Sequence, residues 1–293
     1  MNADIFAEWL RRQGHKIHRS ASSYWFDAGP RTYQAFPYHW VISPQPGELE
    51  DVLQRCKAIA LRCSTPIDGP YGFPSYHVVQ DDKSYDFHCI HKKTRQNIRT
   101  GIKRFRIEEI SIQEYVNSSW RLQIDTVDRQ KRNGFVSEQE WRRRYMAAAG
   151  LPGFYAWGAI GEGKIVATMF AFVSERCCQF ITTQCDRAFL KSKVNNALSF
   201  VATRDAFEKK SADCVFYALQ SLDAPESVDE FKLRMGYKIK PVRQRVLIHS
   251  KIRFLANPFS YHCIKAMLKC VPGNQLLSKG EGILKFYLGG ERR

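Results

Sequence analysis

The order of hydrophobic segments in residues 154–249 limits the folds open to this chain more than any other feature. Three runs rich in β-branched and aromatic residues come first, over 154–160, 164–173 and 177–185. Helix, strand, helix and strand patterns follow, over 193–210, 214–219, 227–235 and 237–249. Gly236 is expected to stop the second of these helices as a left-handed cap. Because Gly161-Glu162-Gly163 is a tight hairpin signal, the first two runs are expected to pair in antiparallel fashion. The order β-β-β-α-β-α-β predicts an α/β (α+β) fold with a mixed, mainly antiparallel sheet flanked by helices.

The first 150 residues alternate between helical and strand patterns and contain no internal repeat. Helices are predicted over 2–13, 48–62, 92–104, 112–132 and 137–148. A hairpin is predicted within 22–42, and short strands near 76–80 and 85–90. Residues 251–293 carry eight Lys or Arg against two Glu and include an amphipathic stretch. We therefore expect three segments: 1–110, 111–250 and a basic amphipathic tail, 251–293.

The chain carries a net charge of +16, which predicts an anionic partner. In the helix predicted over 92–104, the spacing of Lys92, Arg95, Arg99 and Lys103 places them on one face, and no acidic residue interrupts them. A solvated surface normally mixes both signs of charge, and arginine can grip a phosphate with two donors. We therefore expect this face to bind the phosphate of a sugar nucleotide, of a lipid-linked substrate or of a donor.

The nine cysteines include no C-x-x-C pair and no Cys…His ligand set. This usage predicts reduced thiols in a cytosolic protein, with neither a disulfide framework nor a metal site. The first residues lack the basic start and apolar stretch of a signal peptide, and no run of 18 apolar residues occurs. A cytoplasmic location is therefore expected.

Residues 190–198 connect the second half to a known superfamily. They read Leu190-Lys-Ser-Lys-Val-Asn-Asn-Ala-Leu198, where GNAT acyltransferases carry R-G-x-G-I-G-x-A-L between the fourth strand and the next helix. With the strand order, this stretch resembles the GNAT superfamily. The resemblance implies that backbone N–H groups here hold the pyrophosphate of an acyl-CoA, and the implied residues are Lys191, Ser192, Lys193, Val194 and Asn195. Lysines and an asparagine replace the glycines of the family, which disfavours an ordinary acetyl-CoA site.

Many GNAT enzymes also carry Y-x-x-x-G-[FY], with the tyrosine as general acid. Here Gly236-Tyr237 fits, and Lys232 stands at the position of the tyrosine. A Phe231-Lys232 pair at this place resembles the FemAB branch, which makes the peptide cross-bridges of cell walls from aminoacyl-tRNA. Residues 91–103 are similar to the K-x-R-x-x-I-R-x-A-x-K helix of that branch, and 126–145 to its T-x-x-R-x-x-F…Y segment. The resemblance spans about 60–250 and implies a reduced, second GNAT-like half at the N-terminus, with the active cleft between the halves.

The resemblance implies roles for residues along much of the chain. Lys232 would donate to the developing oxyanion or to the leaving group. Gln184 and Asp68 are further candidates for the catalytic set, as amine-binding or proton-accepting groups. Substrate-binding roles are expected for Lys92, Arg95, Arg99, Arg129 and Phe231.

The leading functional hypothesis is an N-acyltransferase that acts on an amine of a cell-envelope sugar or peptide precursor or a similar metabolite. Acyl-CoA is the expected donor, with acetyl-CoA as one candidate, because the helical-hairpin insertion of some tRNA-using members has no counterpart here. Two alternatives stay open: an aminoacyl-tRNA-dependent transferase, and a non-catalytic protein that binds RNA or a membrane surface. The tail 251–293 either contacts the inner face of the membrane peripherally or covers the domain.

Overall fold

A computed structural model describes residues 3–130, 136–220, 226–271 and 274–290, apart from the side chains of 226–228 and 275. The described strands are β1 (Ile17–Arg19), β2 (Tyr24–Gly29), β3 (Thr32–Phe36), β4 (Ala60–Thr65), β5 (Phe73–Gln80), β6 (Arg106–Ile110), β7 (Phe154–Gly161), β8 (Lys164–Ser174), β9 (Cys177–Cys185), β10 (Cys214–Leu219) and β11 (Lys238–Ile248). The described α-helices are α1 (Ala3–Arg12), α2 (Glu48–Arg55), α3 (Lys92–Arg104), α4 (Ile112–Arg129), α5 (Glu138–Met146), α6 (Val194–Glu208), α7 (Glu226–Arg234), α8 (Pro258–Cys270) and α9 (Gln275–Gly290). Short 3₁₀ helices lie at Phe87–Cys89, Arg187–Ser192 and Ser250–Leu255.

The chain divides into two compact units. Unit 1 comprises residues 1–5, 78–218 and 225–239, and unit 2 comprises residues 6–77, 219–224 and 240–293. Helix α3 and strand β6 thus belong to the same unit as the GNAT-like motifs, whereas the sequence analysis assigns them to the N-terminal segment. The tail 251–293 shares its unit with most of the first 77 residues.

Unit 1 contains the strand order β10-β9-β8-β7-β6. Neighbouring strands from β6 to β9 are antiparallel. The pairing of β7 with β8 is the one that the hairpin turn at 161–163 predicts. Strand β10 pairs with β9 in parallel, and the pairing joins Cys214–Phe216 to Cys177–Gln179. Because β9 continues to Cys185, its second half extends beyond this pairing with β10. The expected mixed and mainly antiparallel α/β class is confirmed.

Helices α4 and α6 pack on the strands of unit 1. Trp157 of β7 is fully buried and donates its indole N–H to Asp205 of α6 at 3.2 Å. Helix α4 begins with a capping box in which Ser111 and Glu114 bond reciprocally. Helix α3 packs on α6 at Gly101, where a Cβ would lie 2.7 Å from the Cβ of Ala197. Real Cβ contacts are never this short, so glycine permits the close approach of the two helices.

Unit 2 contains the strand order β1-β2-β3-β4-β11-β5. Strands β2 and β3 form the predicted hairpin, β3 runs parallel to β4, and β11 is antiparallel to β4. Leu49, Val52 and Leu53 of α2 pack in a buried cluster with Trp25 and Leu61. A second buried cluster joins α9 to β4 and β11, and it contains Ala60, Val246, Ile248, Leu284, Phe286 and Tyr287.

Two sequence-based element predictions differ from the structure, and one strand of unit 1 was not predicted. The helix predicted over 48–62 ends at Arg55, and residues 60–65 form β4 instead, because β3 and β11 pair with them on both edges. The strand predicted over 85–90 is a 3₁₀ turn. Strand β6 was not predicted, because its short sequence Arg-Ile-Glu-Glu-Ile has a weak β pattern and becomes a strand only by pairing with β7. Part of the motif over 126–145 lies in 131–135, outside the described residues.

Within the described ranges, no helix combines the length and the apolar character that crossing a membrane requires.

Candidate functional site

The 3₁₀ turn Arg187–Ser192 leads from β9 into α6, at the segment predicted to bind the donor. Lys193 stands at the boundary of this helix with φ 67° and ψ 27°, in the left-handed region that favours glycine. Lys193, at the N-cap position, makes no side-chain capping hydrogen bond to α6. The first N–H groups of the helix and the positive end of its dipole can therefore interact with an anion.

Asn195 stands in the first turn of α6 and is half-buried. Its side-chain oxygen is buried and has no hydrogen-bond partner among the described residues. An amide oxygen accepts hydrogen bonds, so the group that would satisfy it is an N–H or O–H donor of a ligand. The neighbouring Val194 is fully buried and has a packing role, whereas Lys191 is exposed.

The basic face predicted on α3 is present in the structure. Lys92, Arg99 and Lys103 are exposed, while Thr94, Ile98 and Gly101 form the buried side of the helix. The guanidinium of Arg99 lies 4.9 Å from the ring centroid of Phe87, which orients it through a cation–π contact. A surface cavity of about 300 Å³ is lined by Gln96, Arg99, Thr100, Lys103 and Arg104. These side chains supply three cations and two neutral polar groups, which is a lining suited to phosphate.

Arg95 is held differently from the other cations of α3. Its Nε donates to the carbonyl oxygen of Ile90 at 2.9 Å, and the side chain is half-buried. Arg95 therefore fixes the start of α3 as well as adding positive charge.

Helix α3 and the turn before α6 are in direct contact. Arg104 donates to the hydroxyl of Ser192 at 3.0 Å. A Cβ on Gly101 would lie 2.7 Å from the carbonyl oxygen of Lys193. The predicted phosphate-binding face and the predicted donor-binding turn, which lie about 90 residues apart in sequence, are thus neighbours in unit 1.

Lys232 of α7 is buried with a charged partner. Its side chain is 8% exposed, and its Nζ donates to Oδ1 of Asp229 at 2.7 Å. The Nζ also lies 5.5 Å from the ring centroid of Tyr217 on β10. A buried ammonium needs such partners because desolvation of an unpaired charge is very unfavourable. The ammonium has three N–H donors, so pairing with Asp229 leaves donors for a further acceptor.

The end of α7 is anchored to other elements of unit 1. Asn196 of α6 donates to the sulfur of Met235 at 3.5 Å, and Gln80 donates to the carbonyl oxygen of Gly236 at 2.7 Å. Gly236 has φ 89°, as the predicted left-handed stop requires, and a Cβ there would lie 2.6 Å from the carbonyl oxygen of Cys89. These contacts connect the helix that carries Lys232 to the N-terminal turn of α6.

The tyrosines around Lys232 are poor candidates for proton transfer. Burial raises the pKa of Tyr217 and raises the pKa of Tyr237 well above its ordinary value. Tyr237 is also bonded to Thr203, with 2.6 Å between the two hydroxyl oxygens. Lys232 is therefore the polar group of this motif that the geometry favours for chemistry.

Gln184 and Arg129 lie near the end of β9. The side-chain oxygen of Gln184 accepts bonds from Thr168 at 3.1 Å and from Tyr115 at 3.3 Å, and the residue is 2% exposed. Arg129 lies with its Nη1 3.6 Å from the sulfur of Cys185. Both positions help to hold α4 on the sheet of unit 1, and their contacts join neither residue to Lys232.

Asp68 belongs to unit 2 and Phe231 to unit 1. Asp68 is exposed and lines a cavity of about 360 Å³ with Tyr71 and Arg245, whose guanidinium lies 4.4 Å from the Tyr71 ring centroid. Phe231 is half-buried and precedes Lys232 on α7.

Two residues of the site were missed by the sequence analysis. Asp229 lies three residues before Lys232 in a predicted helix, a spacing that places the two side chains together and could have identified the pair. The contact of Arg104 with Ser192 has no signal in the sequence, because 88 residues separate the two positions.

A comparison with protein-family models finds no match for this sequence. No match is found among curated proteins either. Solved structures are similar in fold: FemX aligns over 86% of this chain and 93% of its own, with a TM-score of 0.61 and 9% identity.

The C-terminal domain of a candidate lysylphosphatidylglycerol synthetase from Agrobacterium fabrum covers 84% of this chain and 88% of its own, with a TM-score of 0.57 and 10% identity. L-PGS from Bacillus licheniformis aligns over 86% of this chain and 93% of its own, with a TM-score of 0.51 and 10% identity. At these identities the likeness establishes the fold alone. The fold of this chain is accordingly similar to that of FemX.

Proposed function

We propose that this protein is an N-acyltransferase that acts on an amine of a cell-envelope sugar or peptide precursor or a similar metabolite. The observation that carries the proposal is the junction of α3, α6 and α7 in unit 1. There a basic face adjoins the N-terminal turn of α6, and that turn contacts the helix of the buried Lys232. The A. fabrum neighbour is named for a lipid that bears an amino-acid group, which is compatible with a lipid-linked substrate.

The residues at the start of α6 fit an acyl-CoA donor. Lys191 and Lys193 would add charge for the phosphates, and the first-turn N–H groups would donate to them. The unsatisfied oxygen of Asn195 suits an amide N–H, a group that the pantetheine arm of acyl-CoA carries. Arg99 and Lys103 would hold phosphate groups that extend along α3. The bound donor supplies an activated thioester carbonyl.

Lys232 would stabilise the negative charge that develops when an amine attacks an acyl carbonyl. Its ammonium is fixed by Asp229 before reaction, so little reorganisation is needed at the moment of charge development. As the leaving group departs, the same ammonium can donate a proton to it. A proton-accepting role for Asp68 stays a prediction, whereas Gln184 has its side-chain oxygen occupied by two hydroxyl groups and is best suited to supporting β9.

A donor screen tests this proposal. We would measure the melting temperature with acetyl-CoA, longer acyl-CoAs and aminoacyl-tRNA, for the wild type and for the double variant Arg99→Ala/Lys103→Ala. An acyl-CoA should raise the melting temperature of the wild type by several degrees at about 100 times its Kd, and less in the double variant. Lys16→Ala, which removes an exposed lysine of unit 2, is the matched control and should behave like the wild type.

The same screen separates the alternatives. If aminoacyl-tRNA raises the melting temperature and no acyl-CoA does, the donor is aminoacyl-tRNA and the tRNA-dependent transferase is favoured. If no donor changes the melting temperature, the proposal fails and a non-catalytic anion-binding role is favoured.

We further propose that the tail contacts an anionic membrane peripherally. The 3₁₀ turn Ser250–Leu255 and helix α8 expose Phe254 at 72% and Phe259 at 76%, and α8 has no buried residue among those described. The exposed cations nearby in the tail are Lys251, Arg253, Lys265 and Lys269. Aromatic side chains combined with lysine and arginine suit the interface of an anionic bilayer.

A further inference from the structure

The connection between β5 and α3 brings together three side chains of metal-ligating type. The sulfur of Cys89 lies 3.2 Å from Nε2 of His88 and 3.5 Å from Oδ2 of Asp82. Nε2 of His88 lies 3.9 Å from the same Oδ2. The three donor atoms therefore form one compact triangle in unit 1.

The sides of this triangle match one face of a zinc tetrahedron. With Zn–S of about 2.3 Å, Zn–N of about 2.05 Å and Zn–O of about 2.0 Å, tetrahedral angles place S and N about 3.5 Å apart, S and O about 3.5 Å, and N and O about 3.3 Å. The three observed separations, 3.2, 3.5 and 3.9 Å, each lie within about 0.6 Å of those values. Small side-chain rotations are enough to reach ligand geometry.

A catalytic cysteine is the main alternative explanation of this cluster, and the geometry opposes it. In a Cys-His-Asp arrangement the carboxylate bonds to one ring nitrogen of the histidine and the cysteine to the other. Here the carboxylate and the sulfur both face Nε2 of His88.

The carboxylate of Asp82 is also held in position. Its Oδ1 accepts from the hydroxyl of Ser84 at 2.6 Å and from the backbone N–H of the same residue at 3.0 Å. These bonds leave Oδ2 directed toward His88 and Cys89. Hydrogen bonds that orient a ligating carboxylate in this way are typical of the second layer around a metal ion.

We propose that Asp82, His88 and Cys89 bind one Zn²⁺ ion, with water as the fourth ligand. A thiolate, an imidazole and a carboxylate together suit zinc, whereas Ca²⁺ and Mg²⁺ select oxygen ligands and Cu(I) selects soft sulfur ligands. The thiol of Cys89 loses its proton to solvent as the sulfur–zinc bond forms. The sequence analysis expects no metal site, because the third ligand stands six residues before the adjacent pair and joins it only through the 3₁₀ turn at 87–89.

The site has a structural consequence for the proposed transferase, although it does not depend on that function. The same connection bonds to the end of α7, since the hydroxyl of Tyr85 donates to the carbonyl oxygen of Met235 at 2.7 Å and the N–H of His91 to that of Arg234 at 3.2 Å. Bound zinc would brace the start of α3 and its contact with α7.

Cobalt and zinc titrations of the full-length protein, without an affinity tag and with a phosphine reductant, test the site. One equivalent of Co²⁺ should produce a thiolate-to-cobalt charge-transfer band, and Zn²⁺ should displace it. Each of Cys89→Ser, His88→Ala and Asp82→Asn should weaken zinc binding by more than about 100-fold, and Ser84→Ala by about 10-fold. Cys263→Ser removes an exposed cysteine of α8 and should leave binding unchanged.

The proposal is overturned if the wild type shows no charge-transfer band, if the band persists in Cys89→Ser, or if Cys263→Ser removes it. Far-UV circular dichroism shows whether each variant is folded. A missing band in the wild type overturns the proposal even if a ligand variant unfolds.

Discussion

Gly101 of α3 packs against Lys193 at the N-terminal boundary of α6, and a Cβ on Gly101 would lie 2.7 Å from the carbonyl oxygen of Lys193. The same Cβ on Gly101 would lie 2.7 Å from the Cβ of Ala197. Neither neighbour is the flexible end of a side chain, so a larger residue must move one helix. This contact sets the position of the basic face relative to the turn that would bind the donor.

Gly101→Ala should therefore lower the free energy of unfolding by about 1–3 kcal/mol, although alanine is the better helix former. Chemical denaturation measures this change. Gly280→Ala in α9 is a matched control, since the nearest atom to its Cβ is Ile264 Cδ1 at 3.9 Å. The control should be neutral or stabilise by up to about 1 kcal/mol. Equal effects of the two substitutions would contradict the tight packing of α3 on α6.

Lys232→Met should lower the transfer rate by about 100- to 1000-fold, as loss of an oxyanion donor does. It should also lower the free energy of unfolding by about 1–3 kcal/mol, because the partly buried carboxylate of Asp229 loses its bond to the ammonium. The measurements are product formation with the donor identified by the screen, and denaturation. Arg234→Ala is the control on the same helix, where Arg234 forms an exposed pair with Glu230, and should change neither by much.

The double variant Lys232→Met/Asp229→Asn separates chemistry from stability at this pair. Removing the second charge should recover more than about 1 kcal/mol of the lost stability. Activity should stay low, because no donor to the oxyanion returns. If activity recovers together with stability, Lys232 has a structural role alone.

Phe254→Ser/Phe259→Ser should reduce pelleting with vesicles rich in phosphatidylglycerol. The two rings are largely exposed, and burying each in the bilayer interface is favourable by roughly 1.5–3 kcal/mol. Ile67→Ser, which removes an apolar side chain that is 43% exposed outside the tail, is the control. Binding to phosphatidylglycerol vesicles that is no stronger than binding to phosphatidylcholine vesicles would argue against the proposed surface.

Because the imidazole of His77 is buried, we expect the free energy of unfolding to decrease in acid. Burial lowers the pKa of this imidazole to about 3, and Nε2 lies 2.8 Å from the hydroxyl oxygen of Ser64. Between that pKa and the unfolded value of about 6.5, the unfolded chain binds a proton that the folded chain does not bind. Stability contributed by His77 is thus complete above pH 6.5 and falls by up to about 1.4 kcal/mol per pH unit as the pH decreases toward 3.

The measurement is the free energy of unfolding from pH 7 to pH 4.5. His77→Gln should show a smaller decrease than the wild type, and His18→Gln should follow the wild type. Parallel curves for all three proteins would show that His77 is not responsible.

Much of unit 1 follows from local patterns in the sequence. The order of strands and helices from Phe154 onward was predicted, because their periodicity comes from one-sided burial and their ends carry turn residues. The stop at Gly236 was predicted for the same local reason, and its φ of 89° agrees. The strand at residues 60–65 was not predicted, since a short apolar run is compatible with either helix or strand until its neighbours are known. Here β3 and β11 supply the hydrogen bonds that make it a strand.

The sequence by itself determined the α/β class, the basic face of α3 and the motif around Lys232, because each depends on residues close together in the chain. Only the tertiary structure decided that Lys232 is buried with Asp229 under Tyr217, that Arg104 reaches Ser192, and that Asp82 meets His88 and Cys89. These relationships depend on how elements pack and how a connection turns. Periodicity records which side of an element is buried, and it carries no information on which distant side chain will lie against it.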